Sequence, residues 1–67
     1  MKIIDTDNFG GDYPNETIIA ENIRSADLAE VMCTALNYEN SIVYGDNAPR
    51  YYVVVADDYV LRPGFKP

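Results

Sequence analysis

The run DTDNFGGDYPNE, Asp5 to Glu16, spaces its carboxylates in a way that could hold a hard cation. An EF-hand loop takes carboxylates at positions 1, 3 and 5, a glycine at 6 and a bidentate glutamate at 12. Counted from Asp5, this run supplies Asp5, Asp7, Gly10 and Glu16 at positions 1, 3, 6 and 12. Phe9 stands at position 5, where it cannot ligate, and Pro14 at position 10. No helix is expected on either side. The run is therefore read as a turn that carries carboxylates, with loose cation binding through Asp5, Asp7 and Asp12 as the alternative. In that turn Gly10 and Gly11 allow positive φ, Asp7 and Asn8 bond to nearby backbone, and Phe9 and Tyr13 are expected to drop into the core as anchors.

Other chemistry has little to build on. The chain holds no histidine and one cysteine, Cys33. Neither an internal disulfide nor a structural zinc site can be assembled from that set. Cys33 falls on the apolar side of an expected helix with no base near it in sequence, which describes a buried, inert thiol. Asp57 and Asp58 could be read as a carboxylate dyad, but neighbouring residues on a strand point apart, and a solvated turn is the expectation. The FGG run lacks the spacing and following lysine of a phosphate-binding loop. No catalytic residue, metal ligand or cofactor is expected.

Charge points toward a partner. Eleven acids face five bases among the 67 residues, a net charge of −6. Such a surface is repelled by nucleic acid phosphate and by anionic membrane; what it approaches readily is a basic protein surface. Acidity that serves only solubility is the alternative. No apolar stretch approaches the ~20 residues that span a bilayer. The start MKIIDTDN lacks the basic region and apolar run of a signal peptide. A cytoplasmic setting is the expectation.

The elements that must position these groups form one small domain. KIID reads as a short strand with Ile3 and Ile4 on opposite faces, and Glu16–Ile23 as a second strand. Ser25 is a good N-cap for a helix over ADLAEVMCTALNY, Ala26 to Tyr38, and Asp27 in its first turn complements the helix dipole. Asp27, Glu30, Thr34 and Asn37 form one polar stripe. The remaining arc of Leu28, Ala29, Val31, Met32, Cys33, Ala35 and Leu36 is wider than packing on one sheet requires. Loops could cover the excess, or a second chain could. SIVY, Ser41 to Tyr44, is expected to be a short edge strand and GDNAP a turn. RYYVVVA, Arg50 to Ala56, is rich in β-branched and aromatic residues and apolar on both faces, so it is expected at the centre of the sheet. YVL could add one more strand, and Phe65 is expected to pack back on the body. The fold class is α+β: a small, mainly antiparallel sheet of three to four strands with one helix on one face. The other face is left to loops, the termini or a partner.

Six tyrosines in so short a chain are informative. Tyrosine buries a large area with a polar tip and few rotamers to freeze, which suits interfaces. Tyr13 and Tyr51 are assigned to the core. Tyr44, Tyr52 and Tyr59, with Asp27, Glu30, Asp57 and Asp58, are the candidate partner-binding residues.

DNFGGDYP near the start and YVLRPGFKP at the end resemble the ends of short, mostly uncharacterised bacteriophage and prophage proteins. Those share a similar opening, a helix, an aromatic-rich strand and a PGF-P close. The resemblance covers both ends and the order of elements between them, and Lys66 departs from the acid expected at its position. It implies no catalytic residue. It implies a small accessory protein made during phage infection, and within that setting the expectation is an anti-CRISPR-like inhibitor that occludes a basic surface on a host nucleoprotein. Self-assembly through the helix face, as a homodimer or structural protein, is the alternative; a metal or small-ligand module is the third reading.

Overall fold

Ile3 and Ile4 are adjacent in sequence and both fully buried, at 0% and 1% exposure. Successive side chains of a strand point to opposite faces, so the sheet that carries them must be covered on both sides. The computed structural model describes residues 1–10 and 12–64. Strand β1 (Lys2–Asp7) is followed by β2 (Thr17–Ala20), helix α1 (Ala26–Tyr44), a 3-10 turn at Gly45–Asn47 and β3 (Arg50–Val55). The described strands form one antiparallel sheet in the order β2-β1-β3, an α+β fold with α1 on one face.

Ile3 packs with Ile23, Ala29 and Cys33, bordered by Met32, Leu36, Tyr52 and Val54. This is the layer between sheet and helix. Ile4 and Thr6 face the other way, opposite Val53 and Tyr51 of β3. The chain after β3 covers that second face. It turns at Asp57–Asp58, where the Tyr59 N–H donates to the Ala56 carbonyl (3.1 Å). It then runs back along β1: Lys2 Nζ donates to the Tyr59 carbonyl (3.3 Å), and the Glu16 and Asn15 N–H groups donate to the carbonyls of Arg62 (2.9 Å) and Pro63 (3.2 Å). Gly64 closes the contact; a side chain there would begin 2.9 Å from Asn15 Oδ1.

Several expectations are corrected. The second strand is only Thr17–Ala20, and Ser41–Tyr44 is the last turn of α1 rather than an edge strand. The run NYENS resembles a helix end, but Asn37 and Asn40 lie on the sheet side of a continuing helix and bond to β3. Gly45, at φ 62° and ψ −142°, ends the helix, its N–H donating to the Ser41 carbonyl. β3 lies beside β1 at the sheet edge, not at the centre. Its helix-side residues Tyr52 and Val54 border the core cluster while Tyr51 on the other face is exposed, so apolar residues on both faces do not require a central position. YVL is not a strand. Phe9 and Tyr13 are exposed rather than core anchors. Tyr51 and Tyr52 exchange expected places: pairing with β1 sets Tyr52 toward the core cluster and leaves Tyr51 exposed. A one-residue choice of register decides which of two adjacent tyrosines is inside. Phe65 lies outside the described residues.

Candidate functional site

Two carboxylates of the Asp5–Glu16 run are drawn to arginines, and the first of them, Asp5, lies within β1 rather than in a turn. Glu16 is buried, its side chain 1% exposed, and Arg62 Nη2 lies 2.8 Å from its Oε2. The same carboxylate accepts from Thr6 Oγ1 (2.8 Å), Tyr59 Oη (2.7 Å), the Arg62 N–H (2.9 Å) and Arg62 Nε (3.1 Å). Burial alone opposes its charge, but the bonds from Arg62, Tyr59 and Thr6 outweigh that and hold its pKa at about 2. A carboxylate so fully bonded takes up no proton near neutrality. It fastens the returning chain to the sheet. Asp5 is treated similarly by Arg50, whose Nη2 lies 2.9 Å from Asp5 Oδ1. The Thr17 hydroxyl also donates to Asp5. Arg50 further donates to the carbonyls of Pro14 and Asn15, both at 2.6 Å. These bonds, and the Asx turn in which Asp7 Oδ1 accepts from the Phe9 N–H (3.0 Å), give the loop its shape. Asn8 bonds further away than a turn residue would, to the carbonyls of Ala48 and Pro49.

The surface with a shape suited to recognition is on α1. Ser25 caps the helix, its Oγ accepting from the Leu28 N–H (3.1 Å). From there two apolar stripes run along opposite sides. Ala29, Cys33 and Leu36, continued by Asn37 and Asn40, face the sheet and its edge. Leu28, Val31, Ala35, Tyr38 and Ile42 face away from it. Their spacing alternates three and four residues, which keeps a stripe on one side of a helix. Val31 and Tyr38 are each 68% exposed and Ile42 63%. Every residue from Ser41 to Asn47 is exposed, so the end of α1 stands clear of the sheet, carrying Val43 and Tyr44 with it. Single exposed apolar side chains need no explanation. A contiguous line of them is a different matter, because large exposed apolar patches are the surfaces on which binding sites are found.

The stripe has a one-signed border. Asp27, Glu30 and Glu39 are the only charged residues of α1, all exposed, and its last turn holds no basic residue. Asp46 follows directly. The negative end of the helix dipole is therefore reinforced rather than neutralised.

The candidate partner-binding residues are thus divided. Asp27, Glu30 and Tyr44 lie on α1. Tyr52 packs against the core, and the Tyr59 hydroxyl is committed to Glu16. Asp57 and Asp58 are exposed at the far end of β3, Asp57 at 2.8 Å from the Met1 ammonium. Leu28, Val31 and Ala35 belong to the apolar arc read from the sequence, which a second chain could cover, but none of the five stripe residues is among the candidate partner-binding residues, and Ile42 is missed altogether. The width of the helix's apolar arc was their signal, but reading Ser41–Tyr44 as a strand cut the stripe short. No described helix is long and apolar enough to cross a membrane. No family model, curated protein or solved structure matches the chain.

Proposed function

We propose that this chain is a small acidic binding protein that acts by occupying a basic surface on another protein. The observation that carries the reading is the exposed stripe Leu28–Val31–Ala35–Tyr38–Ile42, bordered by Asp27, Glu30 and Glu39 with no cation on the helix. Apolar contacts of this kind supply affinity once desolvated, while the acidic border speeds encounter and rejects acidic partners. In the phage setting that the sequence resemblance implies, the target is a nucleic-acid-binding host defence complex. Its basic groove would be blocked as an anti-CRISPR protein blocks one. The test is capture of host proteins at low and at physiological salt, followed by assay of nucleic-acid binding by whatever is captured. Recovery of a basic protein whose nucleic-acid binding falls on addition of this chain supports the reading. Capture of no host protein at low salt overturns it.

Self-assembly through the same stripe is the second reading, favoured by one observation: a stripe of alternating three- and four-residue spacing is complementary to a copy of itself. Charge weighs against it. Two copies would bring together helices that each carry three acids and no base.

A further inference from the structure

We infer that the occupant of the outer face of α1 is a single amphipathic helix of a partner protein, with lysine or arginine flanking its own apolar stripe. The inference rests on the binding reading above and narrows it from a basic surface to one structural element.

Shape comes first. The outer face of α1 is convex, and its apolar residues form one narrow line. From Leu28 to Ile42 that line is about 21 Å long at 1.5 Å per residue. A line of side chains spaced three and four apart fits the grooves between side chains of another helix. An added strand needs an open strand edge rather than a helix face, so it does not match this surface. The free end of α1, exposed from Ser41 onward, lets a neighbouring helix run past without meeting the sheet.

Charge then selects among helices. Asp27 and Glu30 border one side of the stripe near its start, and Glu39 borders the other side farther along. The exposed carbonyl end of α1 adds to them, and with Asp46 every charged side chain from Asp27 to Asp46 is acidic. A second copy of this chain would set acids against acids. A helix with basic residues beside its apolar line would pair with every one of them. Opposite charges at such flanking positions set partner choice between paired helices.

The test uses the whole chain and three labelled synthetic peptides of roughly 20 residues, long enough to span the stripe. The first is an amphipathic helix former with isoleucine and leucine at three- and four-residue spacing and lysine beside them. The second has the same composition in scrambled order, and the third has glutamate in place of lysine. Fluorescence anisotropy gives affinity, and circular dichroism reports helix gained on binding. The first peptide should bind and gain helix. The scrambled and glutamate peptides should bind at least ten-fold more weakly. The Val31→Ser/Ile42→Ser double variant keeps the net charge and should lose at least ten-fold affinity for the first peptide. The Asp27→Asn/Glu30→Gln variant should slow association and flatten its salt dependence. Equal binding of the first and scrambled peptides would reduce the effect to bulk charge and overturn the inference. So would a micromolar homodimer in sedimentation that the double variant abolishes, because the occupant would then be a second copy. A host protein captured equally by the wild type and by the double variant would leave the binding reading standing and this inference refuted.

Discussion

The side-chain amide of Asn37 is bonded to both polar groups of one residue on another element: its Oδ1 accepts from the Tyr52 N–H (2.9 Å) and its Nδ2 donates to the Tyr52 carbonyl (3.0 Å). A helix side chain thereby takes the place of a neighbouring strand at the outer edge of β3. Asn40 repeats half of the pattern, donating to the Arg50 carbonyl (2.8 Å), and the Cys33 thiol donates to the same Tyr52 carbonyl (3.2 Å). Unpaired strand edges invite pairing with other chains, and here the helix covers the edge with amides. Replacing Asn37 by alanine should cost about 1–3 kcal/mol, the penalty for part-buried backbone groups left without partners. The distinctive readout is hydrogen exchange: the Tyr52 amide should lose protection in Asn37→Ala while the amides paired between β1 and β3 keep theirs. Unaltered protection at Tyr52 would show that the amide contact does not hold the edge.

The Glu16–Arg62 pair is unequal, and the inequality has a consequence. Glu16 is buried whereas the Arg62 side chain is 61% exposed. Removing the guanidinium strands a buried negative charge. Removing the carboxylate charge leaves a cation that water can solvate. Arg62→Ala should therefore destabilise more than Glu16→Gln, whose own loss is about 1–2 kcal/mol. Denaturant midpoints of the two variants check the order. Equal or reversed losses would mean that Thr6, Tyr59 and the Arg62 N–H, not the guanidinium, carry the charge.

How far the sequence revealed this molecule depends on which residues are asked. Ser25, Asp27 and the apolar positions behind them announce α1, because capping and helical spacing are local signals. Ile3 and Ile4 announce a strand covered on both faces. What escaped was set by contacts distant in sequence. Nothing local shows that Asn37 and Asn40 face a strand edge, and so the helix seemed to end at Tyr38. Nothing local shows which of Tyr51 and Tyr52 is inside; pairing with β1 decides it. The same reason hid the roles of Glu16 and Tyr59, which meet only because the chain returns across the sheet. The exposed stripe was half legible: its width could be read, but its continuation to Ile42 required the length of the helix.

The opening loop should be indifferent to calcium. Its first and twelfth positions, Asp5 and Glu16, are those an EF-hand would use, yet each is bonded to an arginine. A cation would have to displace both guanidinium groups and undo the bonds that shape the loop. A ligand bound only to the folded state raises the melting temperature. Millimolar calcium should leave it unchanged within about a degree. A rise of many degrees, abolished by Asp5→Asn with Asp7→Asn, would establish the loop as a metal site.

Stability should also follow pH in a way that identifies Glu16. Its carboxyl titrates at about 2 in the folded chain against an ordinary value of 4.5, and Asp5 is lowered from 3.8, chiefly by Arg50 and Thr17 acting against burial. A lowered pKa means that the folded state favours the charged form. Its stabilisation is complete above the unfolded value and lost as pH falls through the folded one. At the alkaline end the signs reverse. Tyr59 is raised from 10.0, mainly by its bond to Glu16, and Cys33 from 9.0, mainly by burial, so the folded state favours their protonated forms. The expected profile is a plateau from about pH 6 to pH 8, with losses on both sides. Comparison with Glu16→Gln isolates the carboxylate. The wild type should be more stable on the plateau, and the gap should narrow from pH 4.5 toward pH 2 as Glu16 takes up its proton. A gap that stays constant down to pH 2 would place the acid sensitivity elsewhere, with Asp5 the next group to substitute.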